Sequence, residues 1–470
     1  MSGHEFRYAV EQLLLTLFPN EKPVLVSEPG ARPCIISELS EAGGSAEARA
    51  RFITAGGEFS AAHSAEVPEK ERSSVLQKIV KLSIYDAALA AGVAAPPWGA
   101  LTGIRPAKLA ARHLAGGGTD AAAHLTEEYR VSPVRAALAA ECGAASLAAD
   151  ASLAPGDVSL YVGIPFCPTR CAYCSFVSHS VEKSFKLVAP YLDALFGEIE
   201  ETGERIAREG KRPVTLYIGG GTPTTLTAEQ LDALSKKLRA CFDTSSLREF
   251  TVEAGRPDTI TREKLLALRE NGVSRISINP QSMDVNVLRA IGRAHTPEDI
   301  LAAFAEARAV GFDCINADLI AGLPGDSPDG FARSLGAMLS LGAENITVHT
   351  LAMKKASRMR LENTPVPGGE TVGVMLDTAR SELYSHGYRP YYLYRQKFTA
   401  GGFENVGWTL PDRENLYNIC IMEELHSIIS MGAGGVTKNV DRESGLITRS
   451  FNKKYPYEYI AERSAANGIV

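Results

Sequence analysis

Tyr161-Val162-Gly163-Ile164-Pro165-Phe166-Cys167-Pro168-Thr169-Arg170-Cys171-Ala172-Tyr173-Cys174-Ser175-Phe176 is the stretch around which the rest of the chain is arranged. Three thiols fall within eight residues here, spaced Cys-x3-Cys-x2-Cys. Soft thiolates this close together can converge on one soft metal centre. A structural zinc site uses four closed ligands, commonly as two Cys or His pairs. No second pair follows downstream. Three thiolates on an iron-sulfur cubane would leave one iron without a protein ligand, open to a small molecule. The competing reading is three core or zinc-binding cysteines.

From residue 158 onward a strand signal alternates with a helix signal, the pattern of βαβ units on a parallel sheet. Six candidate strands span residues 159–164, 214–218, 249–253, 275–279, 314–320 and 345–351. Most are near-continuous apolar runs, as strands covered on both faces should be. Helical segments at 191–208, 228–241, 262–271, 297–310 and 328–341 separate them. The expected architecture is α/β, a (β/α)6 partial barrel related to the TIM barrel but open. Its chemistry belongs at the C-terminal strand ends.

Those ends carry polar and glycine residues. The cysteine loop follows the first strand, and Gly219-Gly220-Gly221-Thr222-Pro223-Thr224 follows the second. Glycines there let backbone groups approach a ligand without Cβ interference. Glu253 ends the third strand, a carboxylate that needs a cationic or hydroxyl partner if buried. Gln281 and, further on, Arg293 follow the fourth strand, and Asp318 lies on the fifth.

The cysteine loop, with Tyr-Val-x-Ile-Pro-Phe-Cys before it and Cys-x-Tyr-Cys-x-Phe at its end, resembles the radical S-adenosylmethionine (SAM) signature. Within that superfamily it is similar to the oxygen-independent coproporphyrinogen III dehydrogenases and the related haem chaperones. The resemblance runs through about residues 158–351. It implies a 4Fe-4S cluster held by Cys167, Cys171 and Cys174, with SAM on the remaining iron. It implies that Tyr161, Gly220 and Glu253 contact that SAM. Tyr173, Gly221, Thr222, Gln281, Arg293 and Asp318 match positions associated with a second SAM, so one or two molecules are expected. His349, where the dehydrogenases have alanine, is counted with the cofactor-binding residues. No catalytic side chain is assigned.

Further motifs resemble the HemZ-type branch of this family: Tyr392-Leu393-Tyr394-Arg395-Gln396-Lys397, Gly407-Trp408, Tyr417-Asn418 and residues 431–438. The implied activity is oxidative decarboxylation of coproporphyrinogen III to protoporphyrinogen IX in haem and porphyrin biosynthesis. The alternative is a haem chaperone that keeps the cluster without dehydrogenase activity. Phe176, standing where the dehydrogenases carry a fourth cysteine, leans towards the chaperones. The retained Gln281, Arg293 and Asp318 lean towards the enzyme. The implied partners are a tetrapyrrole substrate and an electron donor such as flavodoxin or ferredoxin. Lys354, Lys355, Arg358, Arg360, Arg395 and Lys397 are candidates for the substrate's carboxylates, against a plain solvated or core role.

At 470 residues with 45% hydrophobic content, the chain is long enough for about two or three domains. Residues 1–153 read as an α+β accessory domain whose role the sequence does not reveal, 154–390 as the radical SAM core, and 391–470 as a small α/β extension covering the substrate. In the first, strand signals at 23–26 and 33–36 give way to helix over 69–91. The turn-rich segment around Trp98 reads as a linker packed on a helix. Lys plus Arg total 49 against 55 Asp plus Glu, a net charge of −6, which offers no global field for nucleic acid or anionic membrane. No basic leader or uninterrupted apolar span of roughly 18 residues is seen, so no membrane span and a cytoplasmic location are expected. Cys34, Cys142, Cys241, Cys314 and Cys420 are scattered singly. Such spacing does not suggest a disulfide framework.

Overall fold

The computed structural model describes all residues except 20, 27–32, 175–178, 181–184, 355–356 and 467–470. Phe176 and Lys355 therefore lie outside the described residues. The chain divides into two compact units, Met1–Ala140 with Gly401–Phe403, and Glu141–Ala400 with Glu404–Val470.

The first unit contains a three-stranded antiparallel meander, β1 (Cys34–Ala42), β2 (Ser45–Thr54) and β3 (Gly57–Glu66). Ala46, Ala48, Ala50 and Phe52 alternate inward along β2. The three small alanines let helix Arg72–Ala90 lie close on the sheet, burying Leu76, Ile79, Val80 and Ile84 in one core with Phe52, Leu13 and Leu17. Residues 23–26, expected as strand, have no regular structure, and Val24 is 77% exposed. Their apolar run pairs with no strand among the described residues. Trp98 is fully buried.

The second unit is built on an eleven-stranded sheet. Its first six strands in chain order are β4 (Asp157–Ile164), β5 (Arg212–Gly220), β6 (Glu249–Gly255), β7 (Arg275–Ile278), β8 (Ile315–Ala321) and β9 (Asn345–Thr350). They lie side by side in that order, all parallel. Then come β10 (Arg389–Arg395), β11 (Glu404–Thr409), β12 (Ser427–Met431), β13 (Val436–Val440) and β14 (Ile447–Phe451). β12 adds a further parallel strand beside β4, which the sequence reading had not picked out. Antiparallel β11 and β10 extend the β9 edge, and β13 and β14 extend the other. The sheet is open and mostly parallel, not a closed barrel.

Helix starts are encoded locally. Thr227 and Gln230 form a capping box at Ala228–Cys241, and Thr296 and Asp299 form another at Pro297–Val310. Ser327 caps Pro328–Ser340 with proline at its first turn. Two of these helices, Ala228–Cys241 and Pro328–Ser340, follow a strand-end loop directly, while helix Val285–Ala290 intervenes before Pro297–Val310. Among the described residues no helix is long and apolar enough to cross a membrane.

Candidate functional site

A cavity of about 480 Å³ opens at the strand ends of the second unit. It is lined by Tyr161, Tyr173, Cys174, Gly220, Glu253, Gln281, Asp318 and His349, eight of the residues singled out from sequence. They come from β4, β5, β6, β8, β9 and the loops after β4 and β7, so the fold gathers what the chain separates by nearly 190 positions.

Its floor is a belt of hydrogen-bonded side chains. Asn316 Nδ2 donates to Ser277 Oγ and to Asp318 Oδ1, both at 2.8 Å. Thr347 Oγ1 donates to Asn316 Oδ1 at 3.2 Å. Ser277 is the register partner of Asn316 and Thr347 that of Asp318, two residues along β8 from Asn316, so the three share a face. The sequence reading had missed these residues, although the polar pairs Asn316/Asp318 and Thr347/His349 inside apolar strands were a usable signal.

Glu253 stands on the wall. It accepts from the Tyr217 hydroxyl at 2.7 Å and from the Gly220 N–H at 3.2 Å. Burial, with Asp318 nearby, pushes its carboxyl up to about 7 despite those bonds. No ion pair reaches it among the described residues. Tyr217 stacks on Tyr417 with ring centroids 4.4 Å apart and on Tyr161 at 6.2 Å. Tyr217 and Tyr417 were not among the predicted site residues.

Across the cavity, His349 Nε2 lies 3.6 Å from Asp318 Oδ2 and its Nδ1 lies 3.5 Å from the Tyr394 hydroxyl. Burial alone would raise Asp318, but the bond and charge of His349, with Asn316 and Thr347, hold its carboxyl below the usual range. The two carboxyl groups of the cavity are thus pushed in opposite directions.

Gln281 adopts φ +69°, the left-handed region that non-glycine residues seldom enter. Its backbone is locked there by Gln281 N donating to Asp318 O at 2.9 Å and Ile320 N donating to Gln281 O at 3.1 Å. The side chain is 94% buried, and its Oε1 has no partner among the described residues. A strained residue presenting an unsatisfied buried amide is an arrangement found at ligand sites.

The glycine turn is a close-approach cradle. A Cβ on Gly221 would lie 2.4 Å from Phe166 O and 3.0 Å from Cys167 Sγ, and one on Gly219 would lie 2.8 Å from the Tyr217 ring. Gly220 has φ +111°. Thr222 Oγ1 lies 3.6 Å from Cys167 Sγ.

The cysteine loop is held from two sides. Arg256 Nη1 donates to Thr169 Oγ1 at 2.6 Å, while its Nε and Nη2 fork onto Asp258 at 3.0 and 2.7 Å. Arg293 donates from Nη1 to Asn279 O at 2.6 Å and from Nη2 to the Tyr173 hydroxyl at 3.2 Å, and its charge lies near the Cys171 thiol. The Arg256–Asp258 clamp went unnoticed in the sequence. Among the described residues no three His, Cys, Asp or Glu are gathered as a preformed metal site.

Of the basic candidates for substrate carboxylates, Lys354 lines the cavity. Arg358, Arg360, Arg395 and Lys397 do not. Arg358 and Arg360 are on an exposed short helix, and Lys397 is also exposed. Arg395 is 9% exposed, and burial lowers its guanidinium to about 10 against the charge of Glu404.

The family model of the Radical SAM superfamily matches residues 161–337. The oxygen-independent coproporphyrinogen-III oxidase-like protein HemZ of Bacillus subtilis is 44% identical over 369 residues, 77% of this chain and 74% of that protein. The chain belongs to the radical SAM family, in its HemZ-type branch.

This HemZ-type chain is similar as well to the heme chaperone HemW of Bacillus subtilis, at 36% identity over 253 residues, 53% of this chain and 65% of that one. The solved structure of the coproporphyrinogen III oxidase HemN from Escherichia coli, described as a radical SAM enzyme, matches with TM-score 0.55 and 26% identity, covering 68% of this chain and 72% of that one. Membership of the radical SAM superfamily implies a 4Fe-4S cluster and SAM. The residues present suit both: the loop offers three soft thiols, the glycine turn packs directly on Phe166 and Cys167 of that loop, and Glu253 has a carboxylate to offer an ammonium group.

Proposed function

We propose that this protein is an oxygen-independent coproporphyrinogen III dehydrogenase, converting coproporphyrinogen III to protoporphyrinogen IX by oxidative decarboxylation of propionates to vinyl groups. The observation that carries the reading is the convergence of Tyr161, Gly220, Glu253, Gln281 and Asp318 on one cavity that also reaches Cys174. In this reading Cys167, Cys171 and Cys174 hold the cluster, and Tyr161, Gly220 and Glu253 receive the SAM bound to it. Tyr173, Gly221, Thr222, Gln281, Arg293 and Asp318 would serve a second molecule, and His349 is counted with the cofactor-binding residues. When bound, these groups supply one-electron cleavage of a carbon–sulfur bond and, from it, a hydrogen-abstracting radical.

The chain's own residues would do the rest. Glu253, ionised by the approach of an ammonium, fixes the amino-acid end of SAM. The Tyr161, Tyr217 and Tyr417 stack excludes water from that wall. The unsatisfied Gln281 amide gains a partner on binding, which favours the loaded state. Lys354 offers a charge to a propionate, and Tyr392 and Tyr394 offer ring faces to a macrocycle. Residues 391–470 would cover the substrate.

A second reading, haem binding and delivery, is favoured by one observation. Lys354 and His349 are the basic side chains among the described residues lining the cavity, a small set for a substrate with several propionates. Anaerobic incubation with SAM, a reductant and coproporphyrinogen III separates the two. Release of 5′-deoxyadenosine with a mono- or divinyl product supports the dehydrogenase. Tight haem binding with neither product rejects it in favour of the chaperone.

A further inference from the structure

The cysteine loop lies between two short helices that point arginines outward. Ala172 N donates to Ile291 O at 2.9 Å, just past helix Val285–Ala290, and Met359 N of helix Arg358–Leu361 donates to Ala172 O at 3.1 Å. Ala172, Leu288, Ile291 and Met359 share one apolar cluster beneath the loop. Above it, Arg289, Arg358 and Arg360 are exposed on the two helices, and exposed Arg170 belongs to the loop itself. A Cβ built on Gly292 would find Arg358 Nη2 at 3.4 Å and Arg170 O at 3.8 Å, so Arg358 overhangs the loop. Arg358 pairs with Glu362 at 3.7 Å, both side chains more than half exposed, a contact that solvent largely screens. Leu361, 73% exposed, adds an apolar surface on the same helix. None of these arginines lines the cavity. The chain as a whole carries −6, so this cluster runs against the global charge.

We infer that this arginine rim docks an acidic one-electron carrier protein beside the cysteine loop. The inference rests on the reading of that loop as the iron-sulfur site. The transfer moves one electron and no atom: the carrier is oxidised by one electron, a flavin hydroquinone becoming its semiquinone, and the cluster is reduced by one. Guanidinium groups around the entry point steer a negatively charged carrier and fix its orientation, an effect that falls with ionic strength. A small anionic reductant reaching the loop from solvent needs no such surface.

The test compares the reconstituted full-length protein with Arg289→Glu/Arg358→Glu/Arg360→Glu, and with the milder triple glutamine variant should charge reversal disturb folding. Reduction of the cluster is followed by stopped-flow absorbance, once with photoreduced flavodoxin and once with dithionite. The expected result is a second-order rate with flavodoxin that falls ~10-fold or more in the glutamate variant at low salt. A smaller fall is expected in the glutamine variant, a rate that declines with salt in the parent chain only, and unchanged dithionite kinetics. Equal flavodoxin rates in all three proteins, or an equal loss with dithionite, would overturn the docking surface. A parent chain that takes up no iron-sulfur cluster, visible before any carrier is added, would overturn the reading of the loop and the surface with it.

Discussion

The Tyr217 hydroxyl donates to Glu253 Oε1 at 2.7 Å, yet the carboxyl it serves is still pushed up to about 7. Desolvation outweighs the hydrogen bond, which leaves Glu253 the group in this cavity best placed to change its proton on binding a cation. Between its ordinary 4.5 and about 7 the folded chain holds more proton than the unfolded chain at this residue. Stability from Glu253 is therefore present at low pH and lost as pH rises through that window. Glu253→Gln should remove the loss, making the apo variant more stable than the parent at pH 8 by on the order of 1–2 kcal/mol, while the two converge near pH 4. Thermal unfolding across pH checks this, and parallel curves would refute it.

Gly221 and Gly336 separate a cradle from an ordinary glycine. A Cβ on Gly221 meets Phe166 O at 2.4 Å, while one on Gly336, inside helix Pro328–Ser340, meets nothing within 4 Å. Gly221→Ala must displace backbone beside Cys167, and a loss of roughly 2 kcal/mol or more with poor iron retention is expected. Gly336→Ala should instead gain roughly 0.5–1 kcal/mol through helix propensity. Denaturant midpoints and iron content of the two variants, measured side by side, check the contrast.

Gln281 combines strain with an orphaned amide, so stability and binding should part company there. Gln281→Gly keeps the left-handed backbone at no steric cost and should stabilise the apo chain by about 1 kcal/mol. The same change deletes the Oε1 that lacks a partner, so SAM binding by equilibrium dialysis should weaken. A variant both less stable and equally good at binding would contradict the assignment.

Cys171 is partly exposed on the loop, with the charge of Arg293 nearby. Cys171→Ala should leave the thermal midpoint within a degree or two, since little packing is lost. After anaerobic reconstitution it should lack the visible absorbance of a cluster and all turnover, as one of three thiolate ligands is gone.

The parallel core was legible because its strands carry their own evidence. β4 and β7 are buried along almost their whole length, and such runs between capped helices read as strands covered on both faces. β12, equally parallel and beside β4, escaped notice because it lies beyond residue 420, far from the repeating βα pattern, and its ladder partner cannot be inferred from its five residues. Of the site, Tyr161, Gly220, Glu253, Gln281 and Asp318 were readable through motif resemblance. Tyr217 and Tyr417 were not, because stacking across about 200 residues of sequence leaves no local trace. Arg358 and Arg360 were readable as cations but not as cations turned away from the cavity, since that depends on how one short helix packs.

The Arg256–Asp258 clamp is the part of the site least visible in the sequence. Arg256 is 97% buried, and its fork onto Asp258 leaves Nη1 aimed at Thr169, in the middle of the Cys167–Cys171 interval. A planar guanidinium can hold a carboxylate and a loop hydroxyl at once, whereas an ammonium on a flexible stem cannot hold that geometry. Arg256→Lys should therefore keep the charge and the fold but loosen the loop. In the apo protein, alkylation of Cys171 and Cys174 should run severalfold faster in the variant, with Cys34 as an internal reference outside the loop. On reconstitution the variant's cluster should be lost faster to a chelator. Unchanged thiol kinetics with normal cluster retention would show that Arg256 serves the core alone and that the loop is held by Arg293 and the Ala172 backbone bonds.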